Sequence, residues 1–319
     1  MKLILYHAHC QDGFFSAYFA WKKFGYQDTD YVPVTHRPVL DMNPVDSMQY
    51  LLQGTNKTIE QCKETDLYIF DFCFPSSFLE VYKDLFKSIT VLDHHETIFD
   101  DLNSVYSNTI TDKGWYNFKV SPNTEVSFTA EECAAKMVYR HFYNALNVPW
   151  YLELISDRDL GKRHFEQTDL FYHGLTIYKP YRFEDIDYLV ESDFADIVEL
   201  GKLVERNRLD IVKVICENII PVTCEHDGKE YKGAIVNTDL SNSSDVGNYI
   251  LLCLNKYDFC IIFSIKDNKT AHCSIRSTHG FDSTLIAEKF NGGGHKTSGG
   301  FGISLSDLCP ILNNNKLSI

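Results

Sequence analysis

Five places in the chain collect side chains able to bind cations or move protons. Asp93-His94-His95 closes the run Ile89-Thr90-Val91-Leu92, and three hard or borderline ligands in succession at the end of a β-branched run suit a divalent cation. His7, His9 and Asp12 fall within six residues, around Cys10 and before Gly13. Asp71 follows Leu67-Tyr68-Ile69-Phe70 and precedes Phe72. A carboxylate between two phenylalanines is costly to bury unless charge or hydrogen bonds compensate it, which favours a metal-bound or hydrogen-bonded role. Asp157 and Asp159 follow Leu152-Glu153-Leu154-Ile155. Each has a plainer reading: a helix cap for Asp12, a cap or turn for Asp71, solvated turn histidines, and an Asp–Arg surface network around Arg158.

The fifth place is Gly292-Gly293-Gly294-His295. Three consecutive glycines allow positive φ and remove every Cβ near the backbone N–H groups, which makes an anion-cradling loop with His295 as a directional donor. Alone such a run marks hinges and turns as well. Arg276, on a neighbouring strand, adds a bidentate contact suited to phosphate.

The elements that must position these groups follow from hydrophobic period. Leu3–Tyr6 reads as a first strand. Phe14, Ala17, Tyr18 and Trp21 then recur at helical spacing, so the first cluster sits on a strand-to-helix turn that Gly13 lets bend closely. Residues 27–60, with Pro33, Pro38 and Pro44, are mixed and polar. Strands over 67–72 and 89–93 bracket a helix over 77–87. Residues 100–128 read as irregular. A helix is expected from Thr129, with Glu132 completing a capping box and Cys133, Ala134, Met137, Val138 and Phe142 as its core stripe. The run 152–160 reads as a further strand closed by acids, and 161–190 as surface helices and loops. Ala195 to Asn218 forms one long amphipathic helix. Strands over 233–237, 259–265 and 272–277, helices over 245–254 and 283–290, and a frayed tail from Pro310 complete the chain. The fold class is α/β: a parallel-sheet metal-binding domain over 1–190, a connecting helix over 191–218, a smaller α/β substrate domain over 219–310, and a tail over 311–319. In an open α/β sheet, ligands bind at the carboxyl ends of the strands, where these acids and histidines fall.

Composition limits the ligand. The 319 residues are 44% hydrophobic and 23% charged, ordinary globular values with room for two cores. No apolar run approaches the roughly 20 residues of a membrane span, and the first residues read as a strand, not a signal peptide. Ten cysteines without a CxxC pair indicate neither a zinc ribbon nor a disulfide framework, and fit a reducing cytoplasm. The net charge of −14, without a Lys/Arg run, argues against long nucleic acid, which is gripped by neutralising phosphates. A short substrate, its phosphates neutralised locally, fits better.

Taken in order, His7-x-x-Cys10-x-Asp12-Gly13, Asp71, Asp93-His94-His95, Asp157, Ser274-Ile275-Arg276-Ser277 and Gly292-Gly293-Gly294-His295 resemble the motifs of the DHH phosphoesterase superfamily. The match runs nearly the whole chain and is nearest the oligoribonuclease and cyclic-nucleotide phosphodiesterase-like group. The resemblance implies two Mn²⁺ (or Mg²⁺) ions in the first domain and a second domain that closes over substrate. Carried over, His7 and Asp71 hold one ion, and Asp12, Asp71, His94 and Asp157 the other, with Asp71 bridging. Asp93 would orient the neighbouring imidazole, and His95 would face substrate phosphate. Asp71, His94, His95 and Asp12 would carry the catalysis, with Arg276, Gly292, Gly293, Gly294 and His295 on the substrate. The implied activity is Mn-dependent, exonuclease-like hydrolysis of a short RNA or DNA, or of a linear or cyclic dinucleotide. Alternatives are a pyrophosphatase or polyphosphatase and an inactive nucleotide-binding protein. Many members carry two aspartates in the first motif; here Cys10 and Gln11 stand where the first is expected. Whether His9 or Cys10 substitutes, or one ion is held more weakly, is left open, as is Asp157 against Asp159, with Asp157 favoured for its place after the strand. Phe72, Phe74, Trp115 and Tyr116 are available to stack bases or to pack.

Overall fold

The computed structural model describes residues 1–35, 39–145, 147–179, 181–191 and 194–318; Pro38, within the polar stretch noted above, lies outside them. The described chain divides into two compact units, Met1–Lys202 and Leu203–Ile319.

The first unit is built on a seven-stranded sheet. Its strands are β1 (Lys2–His7), β2 (Thr29–Val34), β3 (Asp66–Phe70), β4 (Ser88–Asp93), β5 (Asn108–Ile110), β6 (Tyr116–Ser121) and β7 (Thr124–Phe128), in spatial order β2-β1-β3-β4-β7-β6-β5. The first five in that order run parallel, and β6 and β5 add an antiparallel edge. Leu3 and Leu5 bury on one face of β1 and Ile4 on the other, each into its own cluster, as a sheet covered on both sides requires. The helices are α1 (Gln11–Phe24), α2 (Pro44–Leu52), α3 (Ser76–Tyr82), α4 (Glu96–Val105), α5 (Ala134–Tyr143), α6 (Trp150–Asp159), α7 (Thr168–Leu175), α8 (Phe183–Glu191) and α9 (Phe194–Cys216), the last of which contains the division between the units. Local chemistry sets several starts. Asn43 caps α2, accepting from the Asp46 N–H, with Pro44 in the first turn where a missing N–H is harmless.

Three expectations fail here. Residues 100–128 are not irregular: they complete α4 and form β5, β6 and β7, the last paired directly with β4. The helix expected from Thr129 starts at Ala134 with Cys133 as its cap, and Thr129 Oγ1 accepts instead from the Glu131 N–H. Residues 152–159 are helix, with Leu160 as its C-terminal cap. Leu152, Leu154 and Ile155 are buried in α6, and a short apolar run after a proline cannot be told from a strand by period alone.

The second unit carries β8 (Ile220–His226), β9 (Lys229–Asn237), β10 (Phe259–Ile265), β11 (Thr270–Ser277), β12 (Gly293–His295), β13 (Ser298–Ser304) and β14 (Lys316–Ser318), with α10 (Ser243–Asn248), α11 (Thr284–Lys289) and α12 (Leu305–Asn314). The order is β12-β13-β11-β10-β9-β8-β14. The tail is not frayed: α12 continues through Pro310, and β14 pairs parallel to β8 with Leu317 buried.

Candidate metal centre

Strands β1, β3 and β4 are neighbours, and their carboxyl ends deliver His7, Asp71 and Asp93-His94-His95 to one edge of the sheet. Asp71 is the pivot. It adopts a left-handed backbone with φ of 62°, which Asp tolerates better than most residues, and its N–H donates to the Leu92 carbonyl at 3.1 Å. Its side chain is buried. Oδ2 lies 3.3 Å from His7 Nδ1, and Oδ1 lies 3.1 Å from His94 Nε2. The two oxygens of one carboxylate thus serve two separate imidazoles.

Around His94 the acids gather. Its Nε2 is 3.5 Å from Asp12 Oδ2 and 3.2 Å from Asp159 Oδ2. Asp159, not Asp157, is therefore the acid of α6 that reaches the cluster. Asp157 faces the other way: Oδ1 accepts from the His164 N–H at 2.8 Å, and Oδ2 accepts from the Phe165 N–H at 3.3 Å and from the Thr168 hydroxyl at 2.5 Å. Its role is to close the turn into α7. The preference for Asp157 rested on its place directly after a strand; the run is a helix, on which acids two positions apart diverge by about 200°.

Asp12 is held by α5. Its Oδ2 and Oδ1 accept from the Ala134 and Ala135 N–H groups at 2.7 Å each, so a carboxylate sits on the free donors of a helix N-terminus. Gly13 explains how α1 comes so near β1: a Cβ there would stand 2.2 Å from the His7 carbonyl oxygen. Asp93 accepts through Oδ1 from the His94 N–H at 2.8 Å and from His95 Nδ1 at 2.8 Å. The imidazole it orients is thus that of His95, and its Oδ2 is buried without a hydrogen-bond partner among the described residues. Cys10 occupies the capping position of α1, where its sulfur meets the Gly13 N–H, and burial with the Asp71 and Asp12 charges beside it pushes its thiol up. His9 is exposed, with φ of 60°.

Electrostatics show what the cluster lacks. Burial, then the Asp71 and Asp159 charges, push the Asp12 carboxyl well up. Burial also pushes the Asp159 carboxyl up, against the pull of His94. Burial would raise Asp71 too, but hydrogen bonds with His7 and His94 outweigh it and hold that carboxyl low. Burial would likewise lower His94, yet its bond to Asp71 and the charges of Asp12 and Asp159 raise it to about 9. Three acids thus surround one imidazole and raise its affinity for a proton, as they would favour any positive charge placed among them. One ligand atom from each of His7, Cys10 and Asp71, from each of Asp12, His94 and Asp159, and from each of Asp71, Asp93, His94 and His95 forms a group spanning no more than 4.8 Å. Imidazole, carboxylate and thiol donors in these groups, together with the unpartnered Asp93 oxygen, fit divalent cations.

Cations that no run in the sequence announces stand nearby. A cavity of about 290 Å³ beside the cluster is lined by Cys10, Asp12, Asp159, Arg158, Arg163 and Lys179, among others. The Arg158 guanidinium stacks 3.5 Å above the Tyr172 ring, and Arg158 and Arg163 both pair with Asp169. Dispersed through the sequence, these residues form no run. Phe72, Phe74 and Trp115 are core, which removes them as base platforms, while Tyr116 is exposed.

In the second unit, Gly292–His295 is not a loop. Gly293, Gly294 and His295 form the exposed edge strand β12, paired with β13. The glycines serve close approach: Gly294 has φ of 154°, and a Cβ there would meet the Ser298 carbonyl oxygen at 2.3 Å. Arg276 and His295 both register with Ser298, on β11 and β12 either side of β13, so the two side chains share one row and one face. Arg276 donates to Ser274 Oγ at 2.8 Å and to the Ile275 carbonyl at 2.9 Å.

No family model matches the chain. A protein of Acanthamoeba polyphaga mimivirus, the uncharacterized protein R106, is 26% identical over 324 residues, covering 95% of this chain and 68% of that one. Among solved structures, the pGpG-specific phosphodiesterase PggH of Vibrio cholerae is similar at a TM-score of 0.49 and 11% identity, covering 98% of this chain and 96% of that one. RecJ of Thermus thermophilus, in complex with Mn²⁺, is similar at a TM-score of 0.41 and 12% identity, covering all of this chain and 54% of that one.

Proposed function

We propose that this chain is a DHH-type, metal-dependent phosphoesterase that hydrolyses a short oligonucleotide or a dinucleotide. The observation that carries this reading is the divided carboxylate of Asp71, one oxygen toward His7 and the other toward His94, with Asp12 and Asp159 gathered on the His94 side. A carboxylate so placed is suited to bridge two cations. His7, Cys10 and Asp71 would hold one, and Asp71, Asp12, His94 and Asp159 the other. Two such ions supply an activated water and neutralise charge on the phosphoryl group.

The chain's own side chains then have separable duties. His95 is pinned through Nδ1 to Asp93, and that bond, against burial, raises its affinity for a proton. Its ring lies 4.4 Å from that of His94 and 6.3 Å from that of His7, centroid to centroid. Its remaining nitrogen is therefore placed to donate to a phosphate oxygen, a charge-assisted contact that strengthens as charge develops there. In the second unit, Arg276 and His295 offer further phosphate donors. The net charge of −14 disfavours long polyanions.

A second reading is favoured by a specific feature. Arg158, Arg163 and Lys179 around the cavity beside the cluster suit a phosphate-dense substrate such as pyrophosphate. Product analysis over short RNAs, a linear dinucleotide, cyclic dinucleotides and pyrophosphate, each with Mn²⁺, separates the two. Dinucleotide turnover is expected, and an Asp71→Ala variant should lose it by more than about a hundredfold, since removing even an outer partner of a metal ligand costs roughly 10–100-fold. Full Mn²⁺-dependent turnover in that variant would falsify the bridging assignment; turnover of pyrophosphate alone would select the second reading.

A further inference from the structure

We propose that the cation site at His7 and Asp71 is completed by the Cys10 thiolate, so that it prefers a thiophilic divalent ion, Zn²⁺ or Co²⁺, over Mn²⁺ and Mg²⁺. This rests on the two-cation reading above and deepens it: the two sites are chemically unlike, and the centre takes two different metals.

The donor sets differ in kind. One ligand atom from each of His7, Cys10 and Asp71 lies within 4.8 Å of the others, giving nitrogen, sulfur and oxygen around one point. On the far side of Asp71 the donors are His94, Asp12 and Asp159 with Asp71 Oδ1, one nitrogen among oxygens. Thiolate and imidazole select zinc-like ions, whereas carboxylate-rich sets suit Mn²⁺ and Mg²⁺. His7 Nδ1 and Asp71 Oδ2 are 3.3 Å apart, a separation that serves their hydrogen bond and also suits two donors on one tetrahedral ion, which stand roughly 3.3–3.4 Å apart.

The place of Cys10 in the fold supports the same assignment. It occupies the capping position of the fourteen-residue α1, where Ser, Thr, Asp and Asn are favoured because their oxygen accepts a first-turn N–H. A sulfur at that position accepts from the Gly13 N–H and at the same time belongs to the group with His7 and Asp71. Burial and the Asp71 and Asp12 charges push the Cys10 thiol up, so the thiolate forms only as a cation binds beside it. On binding, the thiol proton is released to solvent and a sulfur–metal bond forms, with no change of oxidation state.

Titration of the metal-stripped full chain with Co²⁺, followed by absorption and calorimetry, tests this. The wild-type chain is expected to develop a near-ultraviolet thiolate-to-cobalt charge-transfer band that saturates at one ion per chain. Cys10→Ser and Cys10→Asp should lose that band while retaining circular dichroism and binding at the other site. In competition, wild type should hold one Zn²⁺ against Mn²⁺, and Cys10→Asp should shift that preference toward Mn²⁺ by at least the roughly 10–100-fold expected even for an outer partner. Cobalt binding without the band, or a band that persists in both variants, overturns the Cys10 assignment and leaves the two-cation centre standing. No divalent binding by the wild-type chain overturns both.

Discussion

At the scale of single residues, α6 separates two acids that the sequence presents as equivalents. Asp157 satisfies two backbone N–H groups and the Thr168 hydroxyl, while Asp159 faces His94. Their alanine variants should fail in opposite ways. Asp157→Ala leaves buried donors without an acceptor, a loss of about 1–3 kcal/mol, and should lower the unfolding midpoint while sparing the cluster's affinity for Mn²⁺. Asp159→Ala should weaken Mn²⁺ binding by at least about tenfold. It also removes one of three carboxylates crowded around a single imidazole, so the metal-free variant should melt no lower than the parent. Denaturant melts and metal titrations of the pair check both, and equal metal affinity in the two variants would refute the division of labour. The types of these residues were readable from sequence; the direction of their side chains was not, because it turns on whether 152–160 is strand or helix. Arg158 read only as part of an Asp–Arg surface network, and Arg163 and Lys179 gave no signal, since scattered cations reveal a common pocket only after folding.

At the scale of elements, the parallel strands β1, β3 and β4 were legible because doubly buried strands read as unbroken apolar runs, and each ended where its acid or histidine suggested. The long helix α9 was legible from its period. The polar edge of the first sheet was not: in β5 and β6 most positions are exposed or only partly buried. In β8, Pro221 interrupts the pattern at an exposed position, and the glycine run suggested a loop where β12 lies along β13. The junction of β1 with α1 offers the clearest test at this scale. Gly13→Ala would drive a Cβ into the His7 carbonyl, and relief requires α1 to lift from the strand end. We expect a loss of about 1–3 kcal/mol, as for overpacking elsewhere, and a coincident fall in cobalt affinity, because His7, Cys10 and Asp12 all sit at that junction. An unaltered melting curve with unaltered metal binding would show that the junction yields freely.

At the scale of the whole molecule, the α/β architecture was legible, and no described helix is long and apolar enough to cross a membrane. The chain carries a formal charge of −14, and part of that excess is confined to Asp12, Asp71, Asp93 and Asp159, which lie close together. Cations that bind only the native arrangement stabilise it by mass action, by about 2.7 kcal/mol when present at 100 times their dissociation constant. Adding Mn²⁺ or Zn²⁺ to chelator-treated protein should therefore raise its melting temperature, and the Asp71→Ala variant should show little of that gain. Parallel melts with and without metal measure it; identical gains in both would mean that the ions act elsewhere on the surface.

Asp12 spends both oxygens on the amides that open α5. Lone pairs already committed to two N–H groups make a weaker Lewis base, so an ion held beside His94 would be gripped less firmly than a count of its neighbours implies. It would exchange readily with the surrounding medium, its occupancy following the free metal concentration.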